Sequence, residues 1–200
     1  MIGAMSLEGR RIQVVGAGDL ARSLAAALHG LGAEISEPPG DLDAVVFAPW
    51  DRSIITPRRF VELTDAEFDL AWQRTMDDAV ATCVAARANF AQRGGNIVLT
   101  FPTTAFVGGA FHAQWAAAAE GVHLLTKSVA RQWGPEGIAV NALAIDPVLV
   151  LAEPEVAGPI SIAQPAVPGA RPDEVLAFLC SPAAKNLAGQ TLTVDGGLWM

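Results

Sequence analysis

The sequence predicts an α/β fold of three layers, α/β/α, around a mainly parallel sheet. Three observations predict it. Short β-branched runs alternate with alanine- and leucine-rich amphipathic segments along the chain. The first run ends in a glycine turn that opens a helix, the start of a βαβ unit. Alternation of this kind places helices on both faces of the sheet, and the Ile-Val-Leu content of Asn96–Phe101 is that of a strand buried there.

Taken in order, Arg11–Val15 is the first strand and Gly16-Ala17-Gly18 the turn. Leu20–Leu31 is a helix that stops at Gly32. Ala33–Ile35 is a possible edge strand. Pro38-Pro39-Gly40 breaks the chain before a further strand at Ala44–Phe47. Thr56–Arg59 reads as a loop. Thr64 with Glu67 forms a capping box for a helix running to about Phe90, closed by Gly94-Gly95. After the buried strand, Gln114–Trp133 is a long helix ended by Gly134-Pro135, and Ile138–Ile145 is the next strand. Six prolines make 147–172 irregular; a short helix then runs to Leu179, and Gln190–Val194 is the final strand. With no internal repeat and no low-complexity tail, residues 1–200 are expected to form one domain.

Composition narrows the function classes. Apolar residues make up 52% of the chain and charged residues 17%, which excludes disorder. A net charge of -8 argues against nucleic acid or an anionic membrane as partner. Met1–Arg11 has no long apolar core, so no signal peptide is expected, and Ile138–Leu151 is too short and too broken to span a bilayer. Cys83 and Cys180 stand far apart in apolar helical patterns, which fits buried thiols and a cytoplasmic location. His29, His112 and His123 are dispersed, so no metal site is expected.

Four stretches in the second half resemble consecutive segments of the short-chain dehydrogenase/reductase family. They are Gly95-Asn96-Ile97-Val98, the helix end Leu124–Ala130, Gly137-Ile138-Ala139-Val140-Asn141-Ala142, and the tail Gly189–Gly197. The resemblance covers roughly residues 94–145 and 171–200, with looser matches at 12–31 and 43–50. It implies a Rossmann-like fold and a site in which a tyrosine moves a proton at the substrate oxygen. A lysine one helical turn later lowers that tyrosine's pKa, and a serine polarises the substrate.

Carried onto this chain, those roles fall on residues that cannot fill them. The tyrosine position is Trp115, the lysine position Ala119 and the serine position Pro102; the family's helix asparagine lands at Asp78 or Ala79. The chain contains no tyrosine, and its only lysines are Lys127 and Lys185, so shifting the alignment restores nothing. The cofactor loop keeps Gly16 and Gly18 but places Asp19 where a phosphate would lie, a repulsive arrangement. The segment flanking nicotinamide is Phe47-Ala48-Pro49-Trp50. Only eight residues separate Ile35 from Ala44, whereas a helical crossover needs about 10–12. The sheet is therefore expected to lack one βα crossover on the adenine side; an extended return of that length reaches ~26 Å.

No cofactor is accordingly expected on this chain, with NAD(P) held only by an active partner. Trp50 and Trp115 could jointly fill the emptied cleft. The two long helices match those that pair across the family's dimer axis. Their expected outer faces are alanine-rich: Ala79, Ala81, Ala85, Ala86 and Ala88 on one, Ala113 and Ala116–Ala119 on the other. The leading expectation is a catalytically silent subunit pairing with an active homologue, as a heterotetramer, or with itself. Two alternatives stay open. One is a cofactor-independent cyclase, isomerase or hydratase using His112, Glu120 and Asp146; the other is a homo-oligomer that binds a hydrophobic ligand.

Overall fold

A computed structural model describes residues 6–38, 40–90, 93–158 and 167–199. Pro39 and residues 159–166 of the proline-rich stretch lie outside them. The sheet has six strands: β1 (Arg11–Val15), β2 (Glu34–Ile35), β3 (Ala44–Phe47), β4 (Gly95–Pro102), β5 (Ile138–Ile145) and β6 (Thr191–Val194). All neighbours are parallel, in the order β2-β1-β3-β4-β5-β6. β3 and β5 are buried at every residue and β4 at all but its first, as parallel strands covered on both faces must be.

Helices α1 (Asp19–Gly30) and α6 (Asp173–Cys180) pack together on one face. On the other lie α2 (Asp65–Trp72), α3 (Asp78–Phe90) and α5 (Ala113–Trp133), with the single turn α4 (Thr104–Val107) at the rim. The capping box at Thr64 is present, the Thr64 hydroxyl accepting from the Glu67 N–H while the Glu67 carboxylate accepts from the Thr64 N–H. The helix it opens does not run unbroken to Phe90. Gln73–Asp77 is a π-helical turn, one residue wider than an α-turn, set beside α5. Met76 lies over Gly121 there so closely that a Cβ on Gly121 would meet its sulfur at 2.6 Å.

The shortened crossover is observed directly. β2 survives as a two-residue edge strand, and the chain returns from it to β3 on the far side of β1 with no helix among the described residues of 36–43. Asn89 of α3 clamps this return, accepting from the Leu42 N–H at 2.8 Å and donating to the Gly40 carbonyl at 2.7 Å. Arg10 locks the same end of the sheet, donating to the carbonyl of Cys180 (2.8 Å), the carbonyl of Asp43 and the side chain of Asn96.

Candidate functional site

In open parallel sheets the site lies beyond the carboxyl ends of the strands. Here that edge is roofed by three loops, those after β3, β4 and β5. They hydrogen-bond to one another: Ala152 N–H to the Ile55 carbonyl, Arg58 N–H to Phe111, and Ala110 N–H to Ala157. Beneath them Trp50, Ile55, Trp115, Val150, Leu151 and Ala157 are buried within the main hydrophobic core. The Trp50 indole N–H donates to the Thr100 carbonyl at 2.8 Å, which satisfies the only polar atom of its side chain.

The three positions carried over for catalysis sit on the elements expected of them. Pro102 is the last residue of β4; Trp115 and Ala119 lie one turn apart on one face of α5. All three are buried, and none lines the two clefts described below. The polar set His112, Glu120 and Asp146 is not drawn into one constellation. His112 precedes α5 and is buried, its Nδ1 bonded to the Ala110 carbonyl at 2.9 Å. Glu120 instead pairs with His123, 3.0 Å away, whose ring lies against Phe101 and Phe106. Asp146 caps the turn after β5, accepting from the Val148 N–H. Half-burial, with the charge of Asp195 nearby, raises its pKa above the usual carboxylate value. Asp195 itself accepts from the backbone of Gly197, Leu198 and Trp199, so the tail motif is a structural turn.

The glycines of the first turn are explained by packing. A Cβ on Gly16 would lie 2.0 Å from the Ala48 carbonyl oxygen, and one on Gly18 would lie 2.5 Å from that of Trp50. Both glycines thus let the first turn abut the segment after β3. Asp19 stands in the first turn of α1 and pairs with Arg22.

Two clefts open at this edge. One, of about 490 Å³, lies between α1 and the segments after β5 and before α6; Asp19, Asp146 and Asp173 line it together with Arg52 and Arg171. The other, of about 400 Å³, lies between the ends of β1 and β3 and the start of α3. Val15, Gly16 and Phe47 form its floor, and Asp51, Arg74 and Asp78 supply its charge. The Ser53 hydroxyl and N–H, which hydrogen-bond Asp51, hold that carboxyl below its usual pKa; Arg22 and Arg74 act in the same direction. Among the described residues, no group of histidine, cysteine and acidic side chains is placed to hold a metal. Cys83 and Cys180 are free and buried, and burial pushes both thiols up to about 12. They are inert as nucleophiles at neutral pH.

A doubly wound parallel sheet with a glycine turn at the β1–α1 switch defines the class of dinucleotide-binding-type α/β proteins. Residues 22–199 match the family described as enoyl-(acyl carrier protein) reductase. The chain is 35% identical over 187 residues to cis-4-hydroxycyclohexanecarboxylate dehydrogenase of Sinomonas cyclohexanicum, a match covering 88% of this chain and 71% of that enzyme. It is 35% identical over 123 residues to the 3-oxoacyl-[acyl-carrier-protein] reductase of Vibrio cholerae, covering 57% of this chain and only 50% of that one. In fold it is similar to a Beutenbergia cavernae chain solved with low-occupancy NADP (TM-score 0.81, 24% identity, 98% of this chain and 99% of that one). It is also similar to the TT0495 protein of Thermus thermophilus (TM-score 0.76, 23% identity, 94% and 99%). The chain belongs to the short-chain dehydrogenase/reductase family, a family of oxidoreductases.

No local pattern marks the clamp residues Arg10 and Asn89, whose partners lie tens of residues away, or the π-turn. Asp51 and Arg74 are not marked either, since they share a setting with Asp78 only once the cleft has formed. Sequence reasoning also placed too many alanines on the outside. Ala79, Ala86, Ala116, Ala118 and Ala119 are buried within this chain, where α3 and α5 press on the sheet and on neighbouring helices. Beside the exposed Ala81, Ala85, Ala88 and Ala117, this layer exposes larger apolar residues: Phe68, Leu70, Trp72, Val80, Val84 and Leu124.

Proposed function

We propose that this chain is a non-catalytic short-chain dehydrogenase-type subunit that pairs, through α2, α3 and α5, with an intact homologue in a heteromeric NAD(P)-dependent oxidoreductase. The observation that carries the reading is the fate of the catalytic edge. Its three chemical positions are an imino acid, an indole and a methyl group, buried under a closed roof. None of the three can exchange a proton with a substrate oxygen. A dinucleotide also fits poorly. The first-turn glycines are taken up against Ala48 and Trp50, and the cleft beside α1 is lined by three carboxylates, Asp19, Asp146 and Asp173, against two guanidiniums, Arg52 and Arg171, so a pyrophosphate would add negative charge to an already negative lining.

What the chain retains is a surface. Val84 is 58% exposed and Leu124 56% exposed, on helices whose remaining outward positions include Ala81, Ala85 and Ala117. An apolar helical layer of this kind supports association, and small side chains permit close helix approach. The likeness to dehydrogenases supports a homologous partner of the same architecture.

The test is co-expression with the intact short-chain dehydrogenase encoded nearest to this gene, followed by affinity purification and native mass spectrometry. The expected result is a stoichiometric complex whose nicotinamide-dependent activity belongs to the partner, and which V84D or L124D dissolves. A chain that purifies alone and reduces or oxidises substrate with NAD(P) overturns the reading.

A further inference from the structure

The cleft at the ends of β1 and β3 carries an arrangement of charge that the pairing role does not use. It lies where strand order reverses, the place at which open parallel sheets bind ligands. Eight of the chain's arginines, among them Arg10, Arg22, Arg58 and Arg87, each sit within ion-pair distance of a carboxylate. Arg52, Arg74 and Arg131 do not; of these Arg74 lines the same cleft as Asp51 and Asp78, and among the described residues neither it nor Asp78 has an ion-pair partner.

The backbone places the three groups. Arg74 belongs to the π-turn and Asp78 is the first residue of α3, so the turn fixes the spacing between them. Asp51 is held from the opposite side by Ser53, through bonds of 2.7 and 2.9 Å to its hydroxyl and N–H. Opposite charges thus line one cleft of about 400 Å³ without forming an ion pair, and Val15, Phe47, Ile54 and Ala81 are among its other walls. A guanidinium and carboxylates that line one cleft without pairing are complementary to a molecule that carries both charges itself. The ligand's carboxylate meets Arg74, its ammonium meets Asp51 and Asp78, and an apolar side chain lies on the hydrophobic walls.

We infer that this cleft binds a free α-amino acid with an apolar side chain. The inference rests on the reading that the chain does not hold a dinucleotide there. A phosphate-bearing ligand would meet two carboxylates for one guanidinium, whereas a zwitterion leaves no charge in the cleft without a counterpart except one carboxylate at the rim.

Calorimetric titration of the full chain with L-leucine and L-phenylalanine tests it. L-Leucinamide, which lacks the carboxylate, and 4-methylpentanoate, which lacks the ammonium, serve as controls. The expected result is saturable binding of at least one amino acid, weakened about tenfold or more, about 1.4 kcal/mol, by loss of either charge. R74A should abolish the preference for leucine over its amide, and D78N the preference for leucine over the acid. Circular dichroism checks that both variants fold. No saturable binding up to about 10 mM, or equal binding of leucine and its amide, overturns the assignment. A separate NAD+ titration distinguishes the two readings. NAD+ binding that displaces leucine removes the cofactor argument but leaves the amino-acid site; NAD+ binding with no leucine binding removes both.

Discussion

Replacing Gly16 by alanine separates two reasons for a glycine in the first turn. If the residue is kept for a ligand's approach, the unliganded protein loses little. If it is kept for the approach of Ala48, the folded state itself must rearrange. The added Cβ would lie 2.0 Å from the Ala48 carbonyl oxygen, 2.8 Å from its carbon and 3.1 Å from the Cβ of Ala21. A carbon–oxygen contact needs about 3.3 Å, so the turn or the strand end must shift by more than an ångström. Overpacking of this kind costs about 1–3 kcal/mol. The backbone conformation, with φ at +155°, adds a penalty of about 1–3 kcal/mol for any side chain. Gly9 is the control: it also has positive φ (+75°), but a Cβ there meets nothing within 4 Å, so G9A costs only the conformational term of about 1–2 kcal/mol. Urea unfolding followed by tryptophan fluorescence should therefore place G16A about 2 kcal/mol below G9A, with the slope unchanged. That is a large share of a total stability of about 5–15 kcal/mol. Equal stabilities for the two variants, within about 0.5 kcal/mol, would refute the packing account and return the glycine to a ligand.

Three further outcomes are expected. Phe111 is the only non-glycine residue with positive φ (62°) among the described residues, so F111G should be more stable than F111A by about 1 kcal/mol, the reverse of the usual order; thermal denaturation of the pair decides it. W50A should cost about 3–5 kcal/mol in urea, and W50F about 1–3 kcal/mol, since the smaller ring keeps most of the packing but leaves the Thr100 carbonyl without its donor. A W50A protein of unchanged stability would mean that the roof is not packed as described. For Asp146, half-burial raises the folded-state pKa, so the native state holds this proton more tightly than the unfolded chain. Ionisation then works against folding: the stability tied to this proton is full below the unfolded value near ~4 and is lost as pH rises through the raised one. D146N keeps an acceptor for the Val148 N–H, so it should raise the melting temperature at pH 7 and leave it unchanged near pH 3.5, a difference that a pair of thermal melts reads directly.

Much of the fold was legible in the chain because it depends on local periodicity. The strand positions, the Thr64–Glu67 cap, the long α5 helix and the helix-free return after Ile35 all follow from runs, breakers and spacing. The absence of tyrosine was equally legible, since a missing residue type is a property of composition. The π-turn at Gln73–Asp77 was not, because nothing in QRTMD opposes an α-helix; its width accompanies the close packing of Met76 on Gly121, forty-five positions away. Burial of Ala79 and Ala119 was misread for a related reason. Alanine suits a core contact and a bare surface equally well, and only the neighbouring element decides between them.

The sequence by itself determined that this chain has no tyrosine and that the positions aligned with the family's serine, tyrosine and lysine read Pro102, Trp115 and Ala119. The missing phenol is a matter of which atoms exist, and no folding can supply it. The tertiary structure decided the rest. It drew three separate loops into a roof over Trp50 and Trp115, turned Glu120 toward His123 rather than His112, and brought Arg74 and Asp51 to one cleft. Each of these depends on contacts between residues distant in the chain, whose geometry is fixed only when the sheet brings the strand ends side by side.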